Sequence, residues 1–536
     1  MQTLHSLPEP VADVAAEGRL DDIPGFGEAI RAKITDILRT GTTPLYERVK
    51  DQVPAGVLGL LGLPGLGAKT ARQVWQGLGV ESVEALEEAA RSGKLATLPG
   101  MGEKTVQKIL ASIERARRYG DRILLSQALP LAESLVAQLR PRAEVEHLDY
   151  AGSLRRGLET IGDIDLVGAS RDPAATIAAF VHLPQVGRVI TQGERMARVA
   201  LHGGVEVDLK LVRPGDYGPL LHHFTGSRAH SIHLRKIAEA RGLKINEYGV
   251  FRGDTELPLG DDEDAVYQVL GLPPIPIHLR EDRGEIEAAQ AGTLPHLITE
   301  ADIRGDVHAH TTASDGTATI EQMAQAAQAR GYEYMAITDH SQSLRIAGGL
   351  TPERLRGQIR EIRRLEDALG IACFAGSEVD IRADGTLDFE DALLAELDFV
   401  IASAHLHNNQ GEAAQTKRLI GAIENPHVDL IAHPTGRLLG KRDPYPLDFD
   451  AVCEAARRTG TALEINSSPD RLDLSDAYAR HACQQGVRLM VNTDAHAPDN
   501  YGLLRYGITV ARRAWLTAED VLNTRPLAAF RDWLGR

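Results

Sequence analysis

"GSLRRGLETIGDIDLV", residues 152–167, ends in a run where Ile164 and Leu166 alternate with Asp163 and Asp165. Such alternation predicts a half-buried strand, and in a strand residues two apart share a face. Two carboxylates then stand side by side, which raises their pKa values unless a cation lies between them. A third acid, Asp208, falls mid-strand in "VEVDLKLV" (205–212), where an unpartnered carboxylate is costly to bury. The longer stretch 195–212 reads as two strands around the Gly203-Gly204 turn. Three acids on neighbouring strands make an all-oxygen cage suited to Mg²⁺ or Mn²⁺. Upstream, "GSLRRG" adds glycines for close backbone approach, the Ser153 hydroxyl, and the cations Arg155 and Arg156. These parts suit phosphoryl transfer from a nucleoside triphosphate, with divalent ions neutralising the leaving pyrophosphate.

The N-terminal side carries one short pattern three times: "IPGFGEAIRAKI" (23–34), "LPGLGAKTARQV" (63–74) and "LPGMGEKTVQKI" (98–109). Each is an apolar residue, then Pro-Gly-x-Gly, then an amphipathic run. The glycines (Gly25 and Gly27, Gly65 and Gly67, Gly100 and Gly102) supply a tight turn between two short helices. The second helix opens with free N–H groups that can hold a phosphate, supported by Lys69 and Lys104. These runs resemble helix-hairpin-helix motifs, which grip a DNA backbone without reading sequence.

The C-terminal half, 304–536, alternates apolar strands with helical runs, a period that predicts parallel strands in a barrel-like α/β domain. Polar residues fall at the strand ends, where such folds place their chemistry. "DVHAHTTASDG" (306–316) puts His308 and His310 on one face with Asp315 beyond. His340 ends "YMAITDH", Glu378 lies in "GSEVD", His405 in "ASAHL", His433 in "IAHPTG", and Asp494 and His496 close "NTDAH". Imidazoles mixed with carboxylates suit Zn²⁺, Mn²⁺ or Fe²⁺ better than Mg²⁺.

The whole chain has 536 residues, 43% of them hydrophobic, and a formal net charge of −16. The acid excess grows toward the C-terminus, so it does not exclude a DNA-binding surface elsewhere. No stretch has the roughly 20 apolar residues of a membrane span, and the N-terminus lacks the pattern of a secretory signal. Three scattered cysteines, Cys373, Cys453 and Cys483, suit reduced thiols in a cytosol. The length predicts several domains.

"GSLRRGLETIGDIDLV", "VEVDLKL", "FTGSRAHSIHLRKIAEARGLKINEYGVF" (224–251) and "DDEDAVYQVLGLPPIPIHLRE" (261–281) resemble the palm and thumb of a family X DNA polymerase. The resemblance implies that Asp163, Asp165 and Asp208 hold the metals, with Asp208 assisting deprotonation of the primer 3′-hydroxyl. It places Ser153, Arg156 and Gly162 at the triphosphate, Phe224 and Gly226 beside the sugar, and Arg235 along the template strand. His223 stands where the family commonly has Tyr, so sugar selectivity is expected to differ, and Ser231 stands where Asn is frequent, with a shorter reach to the base. Lys33 matches the Schiff-base lysine that removes a 5′-deoxyribose phosphate, although Ala29 replaces a neighbouring lysine and the chain is expected to lack the further helices that precede the first hairpin in relatives.

Residues 304–536 resemble the PHP (polymerase and histidinol phosphatase) domain, a distorted (β/α)7 barrel binding up to three ions. By that match His308, His310, Glu378 and Asp494 form one site, Asp315, His340 and His496 a second, and Glu378, His405 and His433 a third. Asp315 stands where some relatives have His. Arg345 and Arg437, in loops beyond strand ends, are candidates to clamp a phosphate.

The expected layout is a helical DNA-binding region at 1–122, a nucleotidyltransferase palm at 123–220, a thumb at 221–290, a linker at 291–303 permitting motion, and the PHP barrel at 304–536. The expected function is gap-filling DNA synthesis in base excision repair, with 3′→5′ exonuclease and optional 3′-phosphatase or abasic-endonuclease action. Expected partners are gapped or primer-template DNA and dNTPs, for a monomer in the nucleoid-bearing cytoplasm. Two alternatives are a barrel that hydrolyses only small phosphate esters or pyrophosphate, and a catalytically silent DNA-end-binding scaffold.

Overall fold

The computed structural model describes all residues except 1–10, 17, 19, 21–26, 50–52, 62, 64, 65, 121, 143 and 536. Gly25 and Gly65 therefore lie outside the described residues. The chain divides into two compact units, Met1–Tyr119 and Gly120–Arg536.

The first unit is helical. The second glycine of each recurring motif sits at the start of a helix, as its sequence position predicts. Gly27 caps Glu28–Thr40 and Gly67 caps Ala68–Leu78, neither with a side-chain bond to the first N–H groups. The Gly102 oxygen accepts from Thr105 and Val106 at the head of Glu103–Tyr119. Gly100 has φ of 77°, a conformation that favours glycine. Leu60, Val74, Leu86, Leu95 and Ile113 form the core that these helices bury, and Lys69 and Lys104 stay exposed.

The second unit opens with a five-stranded sheet: β1 Val145–Tyr150, β2 Ile164–Ser170, β3 Val186–Gln192, β4 Met196–Leu201 and β5 Glu206–Val212. Its order is β1-β2-β5-β4-β3, with β2 and β5 parallel and the other pairs antiparallel. The expected Gly203-Gly204 turn links β4 to β5. Residues 217–291 follow as helices and a small three-stranded antiparallel sheet.

Seven parallel strands then form the barrel: β6 Gly305–Asp306, β7 Tyr334–Ile337, β8 Ala372–Asp380, β9 Phe399–Ser403, β10 Leu430–Ile431, β11 Ala462–Asn466 and β12 Leu489–Asn492. They pair in sequence order. A parallel bridge between Ala309 and Ala495 joins the first strand's extension to the last, as the predicted (β/α)7 barrel requires. No helix among the described residues is long and apolar enough to cross a membrane.

The segment 291–303 is not a loose spacer. Leu297, Ile298 and Ile303 are buried, the Ile298 N–H donates to the Leu516 oxygen at 3.0 Å, and one hydrophobic core runs from the sheet into the barrel. The polar composition that suggested a linker hides these three apolar anchors.

Candidate active sites

Asp165 on β2 and Asp208 on β5 are directly opposite in the parallel register. Asp163 stands one residue before β2 begins, because the chain bends at Gly162 and Asp163. Burial pushes the Asp165 carboxyl up to about 6, and the Asp163 and Asp208 carboxylates add to the rise. Gly152, at φ 61°, lies so close that a Cβ there would sit 2.3 Å from Asp165 Oδ2. Only glycine lets the "GSLRRG" turn approach the acids.

A cleft of about 350 Å³ is lined by Gly152, Ser153, Arg156, Asp163, Asp165, His223, Phe224, Gly226, Ser231 and Arg235, all singled out from sequence, and by Arg228, which was not. Gly162 and Asp208 do not line it. A Cβ on Gly162 would instead approach the Arg122 guanidinium at 3.1 Å. Arg198 on β4 donates to both Asp208 oxygens, at 2.7 and 2.5 Å, a pair the sequence reading missed. Arg198 and Asp208 are ten residues apart, and only the β4–β5 register makes them neighbours. Burial lowers the pKa of half-buried His223, which packs edge-on against Phe224. Lys33 is exposed on the helix Glu28–Thr40.

The second site gathers all nine residues expected from the strand ends. Glu378, 1% exposed, lies at the centre. Its Oε2 is 2.8 Å from His340 Nδ1, 3.5 Å from His308 Nε2 and 3.7 Å from His310 Nε2. Its Oε1 is 3.0 Å from His433 Nε2 and 3.3 Å from His405 Nε2. Asp494 Oδ1 lies 3.1 Å from His310 Nε2 and 3.4 Å from His308 Nε2. Asp315 Oδ1 lies 3.3 Å from His496 Nε2 and 3.5 Å from His340 Nε2. Three groups have ligand atoms within 4.8 Å of one another: His310, Asp315, His340 and His496; His308, His310 and Glu378; His340, Glu378 and His405. His310 and His340 thus each belong to two groups, a sharing that the expected partition did not include.

The donor set fits metal ions. Among the described residues, buried His308 Nε2, His310 Nδ1 and His340 Nδ1 have no hydrogen-bond partner, and the last of these faces a Glu378 oxygen at 2.8 Å. Ring nitrogens and carboxylate oxygens that converge this closely suit a shared cation. Burial favours the neutral acid at Glu378, but the His405, His340 and His308 rings outweigh it and hold the carboxyl well below its ordinary range.

Two supporting carboxylates escaped the sequence reading. Glu464, fully buried on β11, accepts from His308 Nδ1 at 2.7 Å and from the His433 N–H at 2.9 Å. That bond leaves His308 Nε2 to face the cluster. Asp380 lies 3.4 Å from His405 Nδ1. The signal for Glu464 was present: a mid-strand Glu in "TALEINS" cannot be solvated. Arg437, a candidate phosphate clamp, is buried, and its guanidinium pairs with Glu159 at 3.0 Å in the segment between Arg156 and Asp163. Arg345 is exposed.

A carboxylate-bearing sheet beneath a glycine-rich turn, fused to a histidine-carboxylate barrel, defines the class of polymerase-like proteins that carry a PHP domain. The sequence matches the families described as DNA polymerase beta thumb over 220–281, SAM-like helix-hairpin-helix tandem over 57–115 and PHP domain over 306–468. It is 41% identical over 518 residues to the DNA polymerase/3′-5′ exonuclease PolX of Bacillus subtilis (strain 168), covering 96% of this chain and 90% of that one. The chain belongs to the PolX family. The barrel alone is 30% identical to a probable phosphatase of Syntrophotalea carbinolica, over 43% of this chain and 95% of that protein. A probable phosphatase of Thermoanaerobacter sp. (strain X514) is 31% identical over 41% and 89%. The solved ternary complex of Leishmania infantum polymerase beta aligns with 42% of this chain at 19% identity, with a TM-score of 0.28, too low to bear on the fold.

Proposed function

We propose that the chain is a DNA polymerase that fills short gaps during base excision repair, and that its barrel removes nucleotides from 3′ ends. The assignment takes 123–220 as palm, 221–290 as thumb, 291–303 as connector and 304–536 as PHP barrel, acting as a monomer in the cytoplasm. The observation that carries it is the register of Asp165 against Asp208, with Gly152 pressed against Asp165. Ser153 and Arg156 bind the triphosphate, Gly162 shapes the turn, and Phe224, Gly226, His223 and Ser231 line the sugar and base. Arg235 follows the template, and Gly27, Gly67, Lys69, Gly102 and Lys104 hold the DNA backbone. Asp163, Asp165 and Asp208 would hold Mg²⁺ or Mn²⁺, which supply Lewis acidity toward the phosphates. Asp208 takes the proton of the primer 3′-hydroxyl, which requires the Arg198 pair to open.

In the barrel His308, His310, Asp315, His340, Glu378, His405, His433, Asp494 and His496 would hold Zn²⁺, Mn²⁺ or Fe²⁺, which polarise the scissile phosphodiester. Asp494 and Asp315 orient the rings, and the water that hydrolysis consumes enters on the side where Asp315 and His496 stay open to solvent. The resemblance to probable phosphatases favours a second reaction, removal of a 3′-phosphate, at the same cluster. The test is a one-nucleotide-gapped duplex with Mn²⁺ and dNTPs, with products resolved at single-nucleotide length. Asp163→Ala is expected to abolish extension and spare 3′ shortening, and His310→Ala to do the reverse. Loss of both activities in either variant, or intact 3′ shortening in His310→Ala, would refute the division of labour.

A further inference from the structure

The loop carrying Asp494 and His496 runs through the turn Pro498–Leu503 into the helix Leu504–Arg513. This helix of the barrel borders the helix Leu125–Leu139, the turn at Gly157 and the thumb-matched segment at His278. Near its start, Arg505 bonds Glu133 at 2.6 Å. A turn later Thr509 fills the space beside Gly157, where a Cβ would come within 2.2 Å of Thr509 Cγ2. Arg512 donates to His278 at 3.2 Å and to the Ile298 oxygen at 2.9 Å.

Arg513 ends the helix almost fully buried, with 6% exposure. Its Nη1 donates to the backbone oxygen of Arg156 at 2.9 Å and to Glu281 Oε1 at 3.0 Å, and its Nη2 pairs with Asp476 at 3.1 Å. Glu281 Oε1 also accepts from Arg156 Nε at 3.0 Å. One guanidinium nitrogen therefore holds both the main chain of Arg156 and the carboxylate bonded to its side chain, while the other nitrogen is fixed by Asp476. Arg513 is 357 residues from Arg156 in sequence, and it belongs to the other site's domain.

We infer that Arg513 is a positioning residue for the nucleotide site, so that the barrel sets the direction in which Arg156 points. The inference rests on the reading of Arg156 as a triphosphate contact. Without Arg513, Glu281 and the Arg156 backbone lose a shared tether, and Arg156 spends only part of its time aimed at the phosphates. A site competent for a fraction of the time weakens apparent affinity by that fraction while leaving turnover at saturation little changed. Asp476 keeps Arg283 at 3.0 Å, so no buried carboxylate is stranded by the substitution.

Single-nucleotide gap filling by the full chain tests this with Arg513→Met, Arg156→Ala and the double variant. Arg513→Met is expected to raise the dNTP KM about tenfold with kcat within about twofold. In the Arg156→Ala background the same substitution should change KM by less than about twofold, because the group it acts through is gone. A wild-type KM in Arg513→Met, or an equal rise in the Arg156→Ala background, overturns the inference. A wild-type KM in Arg156→Ala itself refutes the underlying site reading instead. If Arg513→Met does not fold, Arg513→Lys carries the test. Its shorter side chain cannot bring one ammonium to the Nη1 position while pairing with Asp476, so the bonds to Arg156 and Glu281 weaken and KM should rise about threefold, and no rise overturns the inference.

Discussion

Asp165 and Glu378 are both buried carboxylates at candidate metal sites, yet their surroundings treat charge in opposite ways. Asp165 has two more acids beside it, and its carboxyl is pushed up to about 6. Glu378 has imidazoles beside both oxygens and is held well below the ordinary range. Lys210 and Arg198 offset part of the repulsion at the first site but leave the Asp165 carboxyl raised, so its divalent cations are expected to arrive from outside. The second is built around its ions, with donors already converged and oriented by Glu464. A site loaded with each substrate and a site loaded once differ in just this way.

The comparison breaks most visibly if the central carboxylates are exchanged for amides. Asp165→Asn should reduce extension by roughly 10³-fold or more while leaving 3′ hydrolysis near wild type, measured on the same gapped duplex. Glu378→Gln should do the opposite, because one neutral amide cannot serve two ligand groups at once. A smaller effect is expected one step further out. Glu464→Gln frees the His308 ring without touching the cluster, and should weaken metal affinity about 10–100-fold in a competition titration.

The pH dependence sharpens the contrast. Asp165 has a folded-state pKa of about 6, above its ordinary 3.8. The folded state thus binds this proton more tightly than the unfolded chain, and without divalent ions stability should fall as pH rises through that window. Mg²⁺ should suppress the trend, and Asp165→Asn should remove it, as read from thermal midpoints between pH 4 and pH 7. The smallest expected effect concerns sugar choice. His223→Tyr should shift the ratio of dNTP to rNTP incorporation toward dNTP by several-fold, and an unchanged ratio would remove His223 from that role.

The legible parts of the molecule were those written in local pattern. Alternation around Asp163 and Asp165 announced a strand with a charge problem, and polar residues at successive strand ends announced the nine-residue cluster. Turn glycines marked helix starts at Gly27, Gly67 and Gly102. What escaped notice depends on register and long-range packing. Arg198 meets Asp208 only through the β4–β5 pairing, and Glu464 reaches His308 across 156 residues of sequence. The segment 291–303 looked like a spacer because three buried apolar residues are a weak signal among polar ones. The pairing of Arg437 with Glu159 spans 278 residues of sequence.

The contrast between a site that borrows its cations and one that keeps them is tested most directly by metal content after chelation. The full chain would be treated with EDTA, desalted and analysed by inductively coupled plasma mass spectrometry, alongside Asp165→Asn and Glu378→Gln. Retained transition metal is expected in wild type and Asp165→Asn, with loss in Glu378→Gln. Equal retention in all three, or loss on Asp165→Asn, would contradict the account.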